Sequence, residues 1–287
     1  MTLKEILKRA SVEHWSTGHF NASELDQMKA IIGACVEIGS PAIIGTSEGE
    51  RQHLGLVEAV ALRDAFRKKF KIPFFLNADH SKSVETAKKA VDAGYDSIHI
   101  DLSEKSFEEN VAGSRAVVEY VKMKGGEMSV EGELGYLKGE SKIQNEKIAV
   151  DSKDYTKPEQ AKEFVENTGV DRLAIVVGNI HGISFDEPNL DIERITEIRA
   201  MVPKDIALVL HAGSGIPVDQ IRAAIEAGIA NIHINTDIRV AYVEGLREGL
   251  EKDPEGVAMY KLDKDAIEAM KEVVKEKLKL FMHDIIK

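Results

Sequence analysis

The chain has 287 residues, 30% of them charged, and its 49 acidic residues outnumber 38 basic ones, which gives a net charge of −11. This excess of negative charge argues against nucleic acid or an anionic membrane as a partner, because both repel acidic surfaces. The single cysteine, Cys35, excludes an intrachain disulfide and a zinc site made of cysteines. We recognise no signal peptide, so the sequence predicts a cytoplasmic protein. Because the net charge is negative, any phosphate must be bound by a local site.

Short apolar segments rich in Val, Ile and Phe alternate with segments of helical periodicity. The predicted strands lie at 18–21, 41–47, 73–79, 97–102, 129–134, 172–179, 207–213 and 231–236. Because most are apolar on both faces, they indicate a parallel sheet covered by helices. Eight such units in this length favour an α/β fold, a (β/α)8 TIM barrel formed by one domain over 1–287. A doubly wound open sheet is the alternative, but its usual glycine-rich first turn is missing from HFNASELD.

Two further segments complete the predicted architecture. The C-terminal segment predicts an extra helix, and its apolar stripe suits packing on the barrel or on a partner subunit. The stripe consists of Ile267, Met270, Val274, Leu278 and Phe281. The stretch 136–155 reads as irregular, and a loop of that length in a compact domain is often a mobile lid over an active site.

Catalytic groups of TIM barrels lie where the strands end at their carboxyl side. His80, His181 and His211 lie at the ends of three different predicted strands, and Asp101 and Glu133 lie at the ends of strands between them. Histidine and carboxylate ligands without cysteine suit catalytic zinc, or another divalent cation with an open coordination position. The histidines that we interpret as structural are His14, His53, His99 and His283.

Two strand-to-helix turns, HAGSGIP (211–217) and HINTDIR (233–239), offer small residues, hydroxyls and backbone N–H groups. The turns after the seventh and eighth strands form the usual phosphate site of these barrels, next to helix N-termini. Ser214, Asn235 and Thr236 are therefore candidate phosphate-binding residues, and Gly182 offers a further backbone donor.

These motifs resemble those of the class II, metal-dependent ketose-bisphosphate aldolases of the fructose- and tagatose-bisphosphate types. NADHSKS, SIHIDLSEKSFEENV, VEGELG, VGNIHG, LHAGSGIP and NTD follow in the family's order, from Asn21 to the final helix. The resemblance implies a glycolytic or gluconeogenic lyase that splits fructose 1,6-bisphosphate into dihydroxyacetone phosphate and glyceraldehyde 3-phosphate. Tagatose 1,6-bisphosphate or another phosphorylated ketose is the alternative substrate. The implied assembly is a homodimer or homotetramer.

The resemblance also implies a metal centre. His80, His181 and His211 would bind zinc, and Asp101 and Glu133 would form a second cation position. Zinc would accept the negative charge that develops when the carbon–carbon bond breaks.

The remaining matches imply catalytic and substrate-binding roles. Asp79 would be the acid that protonates the aldehyde oxygen during cleavage, or releases its proton in condensation. Glu140, or else Glu146, would be the mobile-loop base. The residues implied to line the substrate site, with a monovalent cation near the phosphate, are Asn21, Ser47, Gly182, Ala212, Gly213, Ser214, His233, Asn235 and Thr236.

Some positions depart from the family pattern. Ala212 replaces the usual first glycine of its motif, His233 stands where asparagine is common, and Asn235 where aspartate is common. We interpret His233 as a conservative hydrogen-bond donor, with an additional base as the alternative. The cation for the distal phosphate stays open among Arg51, Arg239 and Lys261.

Two other functions compete with this interpretation. A non-catalytic sugar-phosphate-binding protein would be expected to lack Asp79 or one of the three zinc histidines, and all four residues are present. An aldolase that forms a Schiff base needs a lysine at a strand mouth, and we expect none there. Metal-dependent cleavage is therefore the predicted reaction.

Overall fold

The computed structural model describes residues 1–146, 148, 151–183, 185 and 189–282. The strands within these residues are β1 (Thr17–Asn21), β2 (Ala42–Thr46), β3 (Phe74–Ser81), β4 (Ser97–Ile100), β5 (Ser129–Leu134), β6 (Gly139–Ile143), β7 (Arg172–Ile175), β8 (His181–Ile183), β9 (Ala207–Leu210) and β10 (Ile229–Ile234). Parallel pairing closes eight of them into a barrel in the order β1-β10-β9-β7-β5-β4-β3-β2. The predicted TIM barrel is confirmed.

Helices surround the barrel and connect its strands. They are α1 (Leu3–Glu13), α2 (Leu25–Ile38), α3 (Glu48–Leu54), α4 (Leu56–Lys69), α5 (Val84–Ala93), α6 (Phe107–Met123), α7 (Pro158–Thr168), α8 (Ile192–Met201), α9 (Val218–Glu226), α10 (Thr236–Lys252), α11 (Met259–Leu262) and α12 (Lys264–Phe281). A single 3₁₀ turn, Ser152–Asp154, precedes α7 in the described part of the chain. In that same part, every helix is too short or too polar to cross a bilayer.

Local signals fix where the helices begin and end. Glu109 N donates to Ser106 Oγ at 3.2 Å, and Ser106 N donates to the Glu109 carboxylate at 3.1 Å, which forms a capping box at the start of α6. The helix α5 begins at Ser83, whose hydroxyl accepts from Thr86 N. It ends at Gly94, whose φ of 93° is favourable for glycine alone. These boundaries return the chain to the same end of the barrel before each new strand.

The interior of the barrel is polar. Arg172 on β7 donates to Asn77 on β3 and to Asn231 on β10, across the barrel, so these side chains face its axis. Aliphatic side chains on the other face of each strand pack against the helices. The axial polar residues are buried to 4% exposure or less: His19, Asn77, Ser97, His99, Glu131, Arg172, Asn231 and His233.

Two predicted segments differ from the structure. The predicted strand 172–179 ends at Ile175. Gly178 has a φ of 107°, and the Asn179 side chain accepts from Val177 N at 2.8 Å and donates to the carbonyl of His211 at 3.0 Å, in place of backbone ladder bonds. The short strands β6 and β8 pair with each other outside the barrel. The stretch 136–155 therefore contains a strand and is not wholly irregular, while residues 147, 149 and 150 of it lie outside the described residues.

The last helix, α12, packs between α2 and α10 and against β1. Met270, Val274, Leu278 and Phe281 of its stripe are at most 1% exposed. The stripe therefore packs on the barrel of the same chain, which is the first of the two alternatives predicted from the sequence. At the amino end of the barrel, Leu3, Ile6 and Leu7 of α1 pack on Trp15, Phe75 and other strand residues.

Truncation of this stripe is expected to destabilise the barrel. Leu278→Ala removes a fully buried side chain, so we expect the free energy of unfolding to fall by about 2–5 kcal/mol. The control Leu250→Ala, on the 46% exposed Leu250 of α10, should change it by less than about 1 kcal/mol. Urea unfolding measures both values, and equal small losses would show that α12 is not part of the core.

Candidate active site

The carboxyl ends of the barrel strands meet in one cleft. It contains most of the predicted site residues: Asn21, Ser47, Asp79, His80, His181, Gly182, His211, Ala212, Ser214, His233, Asn235 and Thr236. An adjoining cavity shares His80 and His181 with the cleft and adds Asp101, Glu133 and Glu140. Residues separated by more than 200 positions in the sequence are thus brought together because parallel strands end at one rim.

The turn that carries Asp79 and His80 has an unusual backbone. His80 has a φ of 44°, in the left-handed region that non-glycine residues rarely adopt. The buried Arg51 supports this turn by donating to the carbonyl of Asp79 at 2.8 Å, to Ser81 Oγ at 3.2 Å and to the Thr46 carbonyl. The guanidinium of Arg51 is therefore engaged inside the protein and is not available for a substrate phosphate.

His80 lies among acidic side chains. Its Nδ1 is 2.7 Å from Asp101 Oδ2 and 3.8 Å from Glu133 Oε2. Burial opposes the charged imidazole, but the neighbouring Asp79 carboxylate and the contact with Asp101 outweigh it and raise the pKa of His80. A metal that binds His80 must therefore displace a proton.

The donor set fits a divalent metal. Asp79, His80, His99 and His211 offer ligand atoms that all lie within 4.8 Å of one another, and His80 and His99 form a second such group with Asp101 and Glu133. His99 Nε2, Glu133 Oε2 and Asp79 Oδ1 are buried without a hydrogen-bond partner, as ligand atoms of a metal site would be. Nitrogen and oxygen donors without sulfur suit zinc.

Two histidines, one predicted to bind metal and one not, differ from expectation in their placement. His181 lies on β8 and not at the end of a barrel strand, and its ring centre is 5.2 Å from that of His80. In the described residues it belongs to neither group of mutually close donors around His80. His99, which we interpreted as structural, belongs to both. Its position within β4 points its side chain at the axis, two residues before Asp101 on the same face.

Two of the predicted metal ligands, His181 and His211, are neutral at physiological pH, which is the form that binds metal. Burial, with the nearby His80 and His211, lowers the pKa of His181 to about 3. Burial likewise lowers the pKa of His211 to about 4. His211 Nε2 lies 2.6 Å from Glu131 Oε1, so the carboxylate accepts a hydrogen bond from the Nε2–H group. The other ring nitrogen, Nδ1, is then left to bind a metal. Glu131 was not predicted from the sequence, although it lies two residues before Glu133 on the same strand face.

Asp79 is enclosed by groups that favour its ionised form. Asn21 Nδ2 donates to its Oδ2 at 3.0 Å, and Nδ1 of His233 lies 3.5 Å from its Oδ1. Burial raises the pKa of Asp79, but the charges of His80 and the contacts with His233 and His99 outweigh it and hold the pKa well below its usual range. His233 is itself fixed by stacking on His19, with ring centres 3.5 Å apart.

One end of the cleft is formed by backbone and small polar groups. The helix α10 begins at Thr236, Ser214 Oγ accepts from Asp237 N at 3.2 Å, and Asn235 Oδ1 is buried without a partner. A helix N-terminus with a hydroxyl and an amide beside it is suited to a phosphate group. Gly213 does not contribute a free donor there, because its N–H already donates to the carbonyl of His233 at 2.9 Å.

Glycine is required at position 182 in the same rim. Gly182 has a φ of 95°, and a Cβ built on it would lie 2.2 Å from the Lys142 carbonyl oxygen. Ala212 also has a positive φ, 57°, where the family motif has glycine. The methyl group is accommodated there, in a conformation that costs an alanine about 1–2 kcal/mol.

The charged residues around the cleft have defined partners. Arg239 lines the cleft and pairs with the buried Glu50, which also accepts from Asn21 Nδ2 at 2.9 Å and from Ser47 N at 2.7 Å. The predicted base Glu140 is exposed and pairs with Lys142 at 2.7 Å, which lowers its pKa. Glu50 was not predicted from the sequence, because its surroundings there are those of an ordinary helix residue of α3.

A lysine does lie at a strand mouth, so the expectation of none is wrong. Lys82 directly follows β3, and its Nζ donates to Asp101 Oδ2 at 2.6 Å. Burial lowers the pKa of Lys82, but Asp101 outweighs it and raises the pKa. An amine that stays protonated is a poor Schiff-base nucleophile, so this lysine does not favour that chemistry.

Comparison with known proteins agrees with this geometry. The family model of class II fructose-bisphosphate aldolase matches residues 1–284. A fructose-bisphosphate aldolase of Staphylococcus aureus is 37% identical over 284 residues, which cover 98% of this chain and 96% of the relative. The crystal structure of the YdjI aldolase of Escherichia coli K12 superimposes with a TM-score of 0.83 at 30% identity and covers 99% of this chain and 97% of that one. A Campylobacter jejuni fructose-bisphosphate aldolase shares the fold, with a TM-score of 0.80, 22% identity, and coverage of 97% and 93%.

The closed parallel barrel carries at its carboxyl rim histidines and carboxylates that could hold a metal, an arrangement typical of metal-dependent barrel enzymes. The chain belongs to the class II fructose-bisphosphate aldolase family. It is an aldolase, a carbon–carbon lyase, and its family acts on sugar bisphosphates with the help of a metal. The family resemblance and the enzyme class predicted from sequence are confirmed.

The metal site makes a direct prediction. His181→Ala removes one proposed ligand, so the dissociation constant of zinc should rise by at least about 100-fold, the upper range seen for the loss of supporting contacts alone. His53→Ala, on the exposed His53 of α3, is the matched control and should bind zinc as the unaltered protein does. Competition with a chromophoric chelator measures both constants. Unchanged affinity in His181→Ala would remove this residue from the metal site.

Proposed function

We propose that the protein is a zinc-dependent aldolase that reversibly cleaves fructose 1,6-bisphosphate between C3 and C4. The products are dihydroxyacetone phosphate and glyceraldehyde 3-phosphate, as in glycolysis and gluconeogenesis. The observation that carries the proposal is the convergence of His80, His181, His211 and Asp79 beside a helix N-terminus in one cleft. Tagatose 1,6-bisphosphate is the second candidate, since it differs only in configuration at C4.

The metal-binding residues would be His80, His181 and His211, with Asp101 and Glu133 as a second cation position and His99 beside both. Zinc, when bound, supplies the Lewis acid that stabilises the negative charge developing at C3. Another divalent cation has the same role if the cell provides it. The low pKa of His181 and His211 supports metal binding, because neither needs to lose a proton at neutral pH.

The dihydroxyacetone phosphate half would bind at the rim formed by the turns after β9 and β10. Ser214, Asn235 and Thr236 hold the phosphate together with the backbone of Gly182, and a monovalent cation accompanies it there. This anchoring fixes the C3–C4 bond near Asp79, which contributes the orientation part of catalysis. Ala212 and Gly213 shape the rim, and Asn21 and Ser47 line the opposite side.

Asp79 would exchange the proton of the C4 hydroxyl. Cleavage converts this hydroxyl into the aldehyde, so its proton must leave, and Asp79 accepts it. In condensation Asp79 returns the proton to the aldehyde oxygen. For cleavage this is the reverse of the acid role expected from the sequence, whereas for condensation it is the expected role. The lowered pKa of Asp79 supports proton acceptance in cleavage, because an ionised carboxylate accepts a proton. Glu140, or else Glu146, exchanges the proton at C3.

His233 would act as a hydrogen-bond donor to Asp79, whose Oδ1 lies 3.5 Å from its Nδ1. Burial and the adjacent His211 lower its pKa to about 3, so it is neutral at the pH of the reaction. A neutral imidazole keeps one donor and one acceptor, which supports the donor interpretation over an additional base.

The cellular setting belongs to the same proposal. We infer that the chain acts as one catalytic domain in the cytoplasm, as a homodimer or homotetramer, without nucleic acid or membrane as a partner. The acidic net charge of −11 supports the last point.

The test is cleavage of fructose 1,6-bisphosphate beside tagatose 1,6-bisphosphate, each before and after EDTA and with zinc added back. We expect activity on fructose bisphosphate that EDTA abolishes and zinc restores, and the ratio of the two rates identifies the sugar. Activity that survives EDTA would contradict the metal mechanism. Trapping of the enzyme by borohydride in the presence of substrate would support a Schiff base instead.

Arg239 is the cation proposed for the distal phosphate, since Arg51 is engaged by the backbone and Arg239 lines the cleft. Arg239→Met removes one charged hydrogen bond, worth about 1.5–3 kcal/mol, so kcat/KM for fructose 1,6-bisphosphate should fall about 10- to 100-fold. Fructose 1-phosphate lacks the distal phosphate and should be affected much less. Lys261→Met is the control and should leave both values unchanged. Equal losses on the two sugars would contradict this role of Arg239.

A further inference from the structure

A charged arginine lies at the centre of the barrel, away from water. Arg172 begins β7, is 0% exposed, and is the largest of the fully buried side chains in the described residues. Arginine side chains carry a positive charge in proteins. A buried charge is costly unless it is paired and hydrogen-bonded, so its partners indicate what it does.

The partners of Arg172 come from four strands. One terminal nitrogen, Nη1, lies 2.8 Å from Glu131 Oε2 on β5 and 3.2 Å from Asn231 Oδ1 on β10. The other, Nη2, donates to Ser97 Oγ on β4 at 2.8 Å and to Asn77 Oδ1 on β3 at 3.1 Å. The planar guanidinium is therefore held from across the barrel and has one orientation.

Glu131 links this arginine to the metal site. Its Oε2 faces Arg172, while its Oε1 lies 2.6 Å from His211 Nε2. Each oxygen of the carboxylate thus has a different partner. The contact with Arg172 therefore fixes the direction in which the other oxygen meets His211.

We propose that Arg172 is a positioning residue for the metal ligand His211, because it holds the Glu131 carboxylate in the orientation that fixes the His211 ring. The inference rests on the proposed metal site, since it requires His211 to be a ligand. The contacts of Arg172 in the described residues stop at Glu131 and do not reach His211, so its effect on the metal is indirect. Groups that orient a metal-binding histidine raise metal affinity about 10- to 100-fold.

A lysine cannot reproduce this arrangement. Its ammonium is a compact point charge on a flexible stem, whereas the guanidinium serves Glu131, Asn231, Ser97 and Asn77 from a rigid plane. Arg172→Lys keeps the charge and loses the fixed orientation. Arg172→Met loses both.

The experiment compares metal binding by the whole protein and three variants. The zinc dissociation constant comes from competition with a chromophoric chelator, and the Co²⁺-substituted protein gives a d–d absorption spectrum that reports ligand geometry. We expect Arg172→Met to raise the zinc constant at least about 10-fold and to alter the spectrum, with Arg172→Lys between it and the unaltered protein. The control Arg63→Met removes a buried arginine that pairs with Asp96 at 3.0 Å in the helix layer, and should change neither.

Arg172→Met leaves the Glu131 charge buried alone, which can prevent folding. In that case the double variant Glu131→Gln/Arg172→Met decides the question, because it removes both charges and should fold with weak zinc binding. A folded variant without Arg172 that binds zinc with unaltered affinity and spectrum overturns the inference while leaving the metal site intact. Absence of zinc binding in the unaltered protein overturns both.

Discussion

Charged side chains on the axis of the closed barrel must satisfy one another, because water does not reach them. Glu131 is the centre of this constraint, with Arg172 on one oxygen and His211 on the other. A buried ion pair is weak support for stability, since apolar residues of equal volume often serve as well. The proposed role of the Arg172–Glu131 ion pair, at the base of the cleft, is to orient the ring of His211. The geometry of the proposed metal site thus depends on polar residues that the barrel buries on its axis.

The rim faces a different problem, because a chain with a net charge of −11 would have to bind a negatively charged sugar phosphate there. In the proposed function the phosphate is bound locally by the N-terminus of α10, Ser214 and Asn235, so no general positive field is needed. Arg239 is held by Glu50, which places a cation at the mouth without raising the net charge around it. Binding and catalysis therefore use short-range groups that the strand ends bring together.

The sequence was sufficient for the barrel and for most of the rim, because strand ends can be read from short apolar segments. His80, Asp101 and His211 were found in this way. The axial residues His99 and Glu131 were missed, although each lies two positions before a predicted site residue and therefore shares its strand face. The position of His181 on β8 and the pairing of β6 with β8 depend on contacts between distant segments, which periodicity does not contain.

The central claim is that one metal ion is held by His80, His181 and His211 above the polar core. The most direct measurement is crystallographic: anomalous difference maps from a zinc-loaded crystal, recorded on both sides of the zinc absorption edge. The account predicts a peak about 2.0–2.1 Å from one nitrogen of each of these histidines. A peak bound by other residues, or a loaded crystal with no peak in the cleft, would contradict it.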